Sequence, residues 1–385
     1  MSASVINNVR LVLHDGVRAG CVVIREGRIG GVHPGYCPIP HDATVIDGRG
    51  RYLAPGLIDV HVHGGGGFDL MSDDPEQVRG YARWIAQRGV TSFLISTSGR
   101  DHADIIRRLE ALRPTIGVEP GAARVLGFHL EGPYINPLRK GAFPAPWLRA
   151  PNADGYRELA AASGDNIRQV TLAPELAGAD ALIEAVVASG AIAAMGHTDA
   201  TYDEAMQAIA LGVTHVTHCF NAMRPFTHRD PSVSAAVMQS DELTAELIGD
   251  GAHVDYAAAS LLIRAKGWQR IALITDGMPL AGTADGDGQW EGQQIRVDGG
   301  KAVRVSDGTI IGGVITLEQT MRNAVRHLNM PLNAAVAMAS ANPAAAMRID
   351  DHYGSLTPGL AADFILLDDD LNVTETWIAG VPVPA

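Results

Sequence analysis

The stretch LAPGLIDVHVHGGGG, residues 53–67, ends an apolar run in two histidines placed two positions apart. In an extended strand, side chains two apart point to the same face, so His61 and His63 can grip one object from one side. Gly64, Gly65, Gly66 and Gly67 then let the backbone pass close to that object. A metal ion in a barrel mouth is the sharp reading. A hydrogen-bonded histidine pair at a strand end, followed by a flexible glycine loop, is the bland one.

Working outward, short apolar runs recur at residues 57–62, 91–95, 125–130, 168–172, 192–195, 214–217, 244–248 and 271–274. Helical patterns separate most of them, at 75–87, 101–112, 180–189, 202–211 and 255–266, while the connection over 220–241 is long and holds prolines. Strands alternating with helices imply a parallel sheet, and eight of them imply an α/β fold of the TIM-like (β/α)8 barrel type. After the eighth run, residues 282–313 are rich in Gly and Asp and hold two β-like segments, 294–297 and 302–305, which predict a hairpin inserted in a barrel loop. Helices at 314–328, 332–340 and around 342–347 complete the barrel layer. Both termini read as β, which divides the chain into 1–52 plus 350–385 and a barrel over 53–349.

The chain has 385 residues, 46% of them hydrophobic, and a formal net charge of -13. That length builds one large domain or two, and that charge argues against a nucleic-acid or anionic-membrane partner. Cys21, Cys37 and Cys219 are too few and too scattered for a disulfide framework or a thiolate zinc site, which predicts a reduced, cytoplasmic setting. The amino terminus shows no basic segment leading into an apolar core, and no run approaches the length of a membrane span.

In a barrel of this kind the active site lies at the carboxyl ends of the strands. Strand one ends in His61-Val62-His63, strand three in His129-Leu130-Glu131, strand five in Gly196-His197 and strand six in Thr217-His218; strand seven runs toward His253, and strand eight ends in Thr275-Asp276. Ionisable groups at so many strand ends point to a metal site. Imidazole and carboxylate donors without thiolate suit zinc, and equally iron, manganese or cobalt. Glu131 has two oxygens and can ligate one ion with each. Asp276, on the last strand, is placed to carry protons.

These residues carry a resemblance. The segments LAPGLIDVHVHGGGG, GFHLEGPYINPLRKGAF, APE at 173–175, GHTDATYDEA, THCFNAMRPFTHRDP, GDGAHVD, LITDGMPLAG and GGVITLEQTM, in order over nearly the whole chain, resemble the N-acetylglucosamine-6-phosphate deacetylases of the amidohydrolase superfamily. The resemblance implies a metal-dependent barrel with a small β-sandwich domain made from both terminal segments. By position it makes Glu131, His197 and His218 ligands of one ion, His61 and His63 the pair that decides whether a second ion sits beside it, and Asp276 the catalytic carboxylate. Asn221 and Ala222 match the sugar-contacting turn, and His253 a phosphate and hydroxyl contact. Arg229 matches a phosphate-binding arginine that reaches the neighbouring subunit's site in a homodimer. The implied reaction is hydrolysis of the N-acetyl amide of N-acetylglucosamine 6-phosphate to acetate and glucosamine 6-phosphate.

One position departs from the pattern. Where the resemblance expects a His or Gln that donates to the substrate carbonyl, this chain has Phe143, which cannot donate. A second ion held by His61 and His63 is the leading candidate to replace the lost polarisation. Among the other histidines, His129 either contacts a metal ligand from behind or is a packed barrel residue; His215, three from His218 and so on the opposite strand face, is structural; and His228 is solvated. A deacetylase of N-acetylgalactosamine 6-phosphate or of an unphosphorylated N-acetyl sugar remains an alternative. A cyclic-amide hydrolase is disfavoured, because strand four ends Leu172-Ala173-Pro174-Glu175 with no lysine to bridge metals. A non-catalytic barrel scaffold is disfavoured by retention of every ligand type.

Overall fold

The computed structural model describes residues 3–384. Eight strands form the barrel sheet in sequence order: Leu57–Asp59, Val90–Thr97, Arg124–Glu131, Ile167–Leu172, Ile192–Met195, His215–Val216, Thr244–Ile248 and Ile271–Ile274. Every neighbouring pair is parallel. The strands are buried almost throughout, which is why they read as continuous apolar runs rather than alternating ones. Helices such as Pro75–Ala86, His102–Leu112 and Tyr202–Ala210 cover the outside. Local chemistry starts them: Asp74 accepts from the Glu76 amide, and Thr201 with Glu204 forms a capping box. The loop over 220–241 contributes one helix, Val233–Gln239, and Ala153–Ala162 is a helix that the apolar periodicity does not announce.

The first and eighth strands meet without a strand ladder. Beyond their ends, the Asp276 amide donates to the His61 carbonyl at 2.9 Å and the His63 amide to the Gly277 carbonyl at 2.7 Å. Just below, the Thr275 hydroxyl donates to Asp59 at 2.6 Å. Burial pushes the Asp59 carboxyl up to about 7, against the lowering effect of its hydrogen bonds from Thr275 and His61. The seam of the barrel is thus closed by the residues that the sequence marks as the site.

Strands from both termini form a second, eight-stranded sheet, the small β-sandwich, with Phe364–Leu367 running antiparallel to Tyr52–Pro55. Its own core includes Ile6, Leu11, Leu53, Phe364 and Trp377. Only Gly56 separates Tyr52–Pro55 from the first barrel strand. A Cβ there would lie 2.3 Å from the Thr91 hydroxyl, so the close approach requires glycine. The insertion is a three-stranded antiparallel sheet, Gly286–Trp290, Gln293–Asp298 and Lys301–Arg304, where two β segments were expected. The first strand was missed because its sequence, GDGQW, carries three residue positions of low strand propensity.

Cys21 and Cys37 are joined by a disulfide, while Cys219 is free and buried. The expectation of unpaired cysteines is corrected: the intervening hairpin brings together two cysteines sixteen positions apart, which spacing alone does not reveal. The reducing compartment inferred from cysteine usage loses that support. Among the described residues, no helix is long and apolar enough to cross a membrane.

Sandwich and barrel are joined by an ion pair. Arg124, on the third barrel strand, contacts Asp363 at 2.7 Å with both side chains nearly buried, and Asp363 also accepts from the Ala379 amide at 2.6 Å. Removing one partner strands the other charge away from water. Asp363→Ala is expected to destabilise the protein by about 3–5 kcal/mol, read as a lower urea midpoint; an unchanged midpoint would show that the pair does not hold the two sheets together.

Candidate metal centre

Three of the site residues stand at sharp strand ends. His197, His218 and Asp276 have φ of 48°, 29° and 48°, a left-handed conformation that ends each strand and is uncommon outside glycine. Their side chains, with those of His61, His63 and Glu131, converge at the carboxyl mouth of the barrel.

Two donor sets meet there and share Glu131. In the first, His218 Nε2 lies 3.0 Å from both Glu131 Oε1 and His197 Nε2, and His197 Nε2 is 3.2 Å from the same oxygen. In the second, His61 Nε2 and His63 Nε2 are 3.3 Å apart, and each is 3.4 Å from Asp276 Oδ1. His63 Nε2 is also 3.0 Å from the other Glu131 oxygen, Oε2. Ligands held at about 2.0–2.1 Å around a tetrahedral ion stand about 3.3 Å from one another. The observed separations have that magnitude. Two imidazole nitrogens aimed at each other at 3.0 Å share at most one hydrogen, whereas a cation between them accepts both lone pairs.

Charge points the same way. Glu131, Glu246 and Asp276 are carboxylates inside the barrel mouth. Burial alone would raise their pKa, yet the surrounding histidines hold Glu131 well below its usual range and Glu246 and Asp276 at about 2. Asp276 and Glu131 raise His63 to about 9 in spite of its burial. So much buried negative charge demands positive charge in return, and a divalent cation supplies it with fewer particles than protons do. Donor chemistry, spacing and charge therefore all fit a metal.

Backbone and side-chain partners aim the ligands. His197 Nδ1 bonds the Arg139 carbonyl at 2.9 Å, leaving Nε2 to face the cluster. His61 Nδ1 bonds Glu246 Oε2 at 3.0 Å. Glu246 was missed by sequence reasoning. It lies on the seventh barrel strand, fully buried, accepting also from Gln169 at 2.7 Å and from the His218 amide at 3.1 Å. The signal was available: it is the lone charge in the strand Thr244–Ile248.

A cavity of about 330 Å3 opens above the cluster, lined by His63, Glu131, His197, His218 and Asp276. Asn221, Ala222, His253 and Phe143 line it as well. The Asn221 amide donates back to the His218 carbonyl at 3.2 Å, and His253 Nδ1 bonds Asp250 at 2.7 Å. The Phe143 ring stands edge-on to His197, with centroids 5.2 Å apart. Trp290 and Gln293, from the inserted sheet, also line the cavity, and no sequence pattern had marked them.

Two sequence readings change, those of His215 and of Gly64 to Gly67, while Arg229 and His129 keep to readings already given. Arg229 is exposed and does not line the cavity of its own chain. His129 bonds Ser96 at 2.9 Å and Thr171 at 2.8 Å and sets its ring edge-on to His61, so it packs behind the cluster without joining it. His215 is no outward residue: its strand stops at Val216, the spacing rule lapses, and its ring turns inward to 3.8 Å from Glu246. Gly64 to Gly67 do not border the cavity. A Cβ at Gly66 would fall 2.4 Å from the Trp84 ring, so there the glycine serves packing and not metal access.

Comparison with known proteins gives a consistent picture. Residues 52–383 match the family described as the amidohydrolase family. The chain is 34% identical to N-acetylglucosamine-6-phosphate deacetylase of Bacillus subtilis (strain 168), over 95% of this chain and 93% of the relative. It is 35% identical to N-acetylgalactosamine-6-phosphate deacetylase of Escherichia coli O157:H7, over 89% and 90% respectively. It superposes with a TM-score of 0.93, at 32% identity and full coverage of both chains, on a mutant N-acetyl-D-glucosamine-6-phosphate deacetylase from Mycobacterium smegmatis in complex with N-acetyl-D-glucosamine-6-phosphate.

Glu246 orients His61 through Nδ1, and a neutral amide there would weaken that hold. Glu246→Gln is expected to lower metal affinity by about 10- to 100-fold at the His61 and His63 set, and less at the set of His197 and His218, which it touches through the His218 amide alone. Titration of the apoprotein against a chromophoric chelator reads both sites; unaltered affinity at both would leave Glu246 a packing residue.

Proposed function

The chain belongs to the amidohydrolase family, and on that premise we propose that it hydrolyses the N-acetyl amide of N-acetylglucosamine 6-phosphate to acetate and glucosamine 6-phosphate. The observation that carries this reading is Glu131, whose two oxygens serve two donor sets beneath a cavity of sugar size. In this reading Glu131, His197 and His218 would hold one divalent transition-metal ion, zinc among those that the donors suit, and His61 and His63 with Asp276 would hold a second. When bound, such an ion supplies a water that ionises near neutral pH and an electrophile for the amide carbonyl.

The chain's own groups do the rest. Asp276, ionised and 3.4 Å from both His61 Nε2 and His63 Nε2, takes the proton from the attacking water and delivers it to the amide nitrogen as the C–N bond breaks. Asn221, the Ala222 backbone and His253 bind the sugar. Phe143 has no hydrogen to donate to the carbonyl, and a bound ion would supply the polarisation that this side chain does not. Holding the substrate by its remote phosphate orients the amide.

The phosphate needs a cation, and no lysine or arginine lines the cavity among the described residues. Arg229 of a second copy, reaching in from a homodimer, fills that need in our reading; the exposure of Arg229 supports it. A nucleic-acid substrate is disfavoured by the net charge of -13.

Acetate release is measured from N-acetylglucosamine 6-phosphate, its galactosamine epimer and the unphosphorylated sugar, before and after removal of metal by a chelator. Fast release from the glucosamine phosphate, abolished by the chelator and restored by added zinc, is the expected result. Equal rates with and without phosphate would remove Arg229 and His253 from phosphate binding. Asp276→Asn is expected to cut kcat by at least about 100-fold, and near-normal turnover would remove Asp276 from proton transfer.

A further inference from the structure

The cavity is two-sided. Following the strand order around the mouth, Asn221 and His253 come from the loops after strands six and seven. The loops after strands eight, one and three present the apolar side chains of Trp290, Ile311, Met71, Phe143 and Trp147, with Glu291, Gln293 and Thr309 of the strand-eight excursion lining the same cavity. Met71, Trp147 and Ile311 are nearly or fully buried, and each belongs to the cavity wall. The wall comes close to the reacting centre on two sides: the Phe143 ring lies 5.2 Å from the His197 ring, and the Trp290 ring 5.8 Å from that of His63.

An N-acyl amino sugar has two unlike ends on either side of its carbonyl. Hydroxyls set against the Phe143 and Trp290 rings would lose their water without finding partners there, whereas Asn221 and His253 offer them, so the sugar is placed with Asn221 and His253. The acyl group then faces the hydrocarbon wall. A methyl group is small against a surface built from two indoles, a phenyl ring and two aliphatic side chains.

We propose that this wall is an acyl subsite fitted to chains of three or four carbons, so that the enzyme hydrolyses N-propionyl and N-butyryl amides of the amino-sugar phosphate in preference to the N-acetyl amide. The proposal rests on the deacylase reading above and extends its substrate class. The reaction balances as before: water gives its hydroxyl to the acyl carbon, the C–N bond breaks, and the remaining proton goes to the nitrogen. The products are the carboxylic acid and the free amine. Each methylene moved from water onto apolar surface in the transition state is worth about a fourfold gain in kcat/KM. An added hydroxyl gains nothing there.

The test is a series of glucosamine 6-phosphates bearing N-acetyl, N-propionyl, N-butyryl and N-glycolyl groups, assayed by release of free amine with the zinc-loaded enzyme. The expected result is kcat/KM rising about fourfold per methylene from acetyl to butyryl, with glycolyl below propionyl. Met71→Ala and Trp290→Ala should each draw the butyryl-to-acetyl ratio toward one. Trp290 also packs on the inserted sheet, so both variants are melted first, and a folding defect in one leaves the other to decide. A fall in kcat/KM from acetyl to propionyl, or ratios untouched by either substitution, overturns the subsite. No amine from any member, the N-acetyl compound included, overturns the deacylase reading and the subsite together.

Discussion

Buried negative charge organises this protein. Glu131, Glu246 and Asp276 come from three different strands of one barrel and meet at the floor of the cavity, the first two buried and Asp276 largely so. Carboxylates in such a place are stable only if positive charge is brought to them. The chain answers with imidazoles from strands one, five and six, groups that turn lone pairs to a metal ion or take up protons. The left-handed backbone at His197, His218 and Asp276 and the hydrogen bonds aiming His61 and His197 follow from the same requirement. Strain and buried charge that would be faults elsewhere are tolerated where they shape a reactive site.

Much of this was legible in the sequence, for a physical reason. Barrel strands are covered on both sides, so they appear as apolar runs, and a polar residue at the end of such a run has no explanation but the mouth. His61, His63, Glu131, His197, His218 and Asp276 were all found by that rule. What escaped it were groups whose position depends on three-dimensional closure. Glu246 sits inside its strand and not at the end of it. His215 was misassigned because period-two reasoning needs a strand longer than the two residues present. Trp290 reaches the cavity from an insertion whose first strand has weak local propensity. The Cys21–Cys37 bond is set by hairpin register, which cysteine counting cannot supply.

The cavity shows how a shared scaffold diverges. Relatives of this chain include deacetylases of both N-acetylglucosamine and N-acetylgalactosamine phosphates, so the donor sets alone do not settle the substrate. Discrimination belongs to the loops around the mouth. Here Phe143 sets a hydrocarbon ring in the cavity wall beside His197, where it offers no hydrogen to a ligand.

Gly56 carries a last consequence. With a single residue between them, the sandwich strand Tyr52–Pro55 and the barrel strand Leu57–Asp59 form one nearly continuous rod that ends at His61 and His63. The rod is gripped from the side by Phe364–Leu367, near the far end of the chain. His197 and His218 hang from strands with no such link. The two halves of the cluster are therefore tied to the outer sheet by different means: His61 and His63 through the chain itself, and the shared Glu131 through the Arg124–Asp363 pair at the other end of its strand.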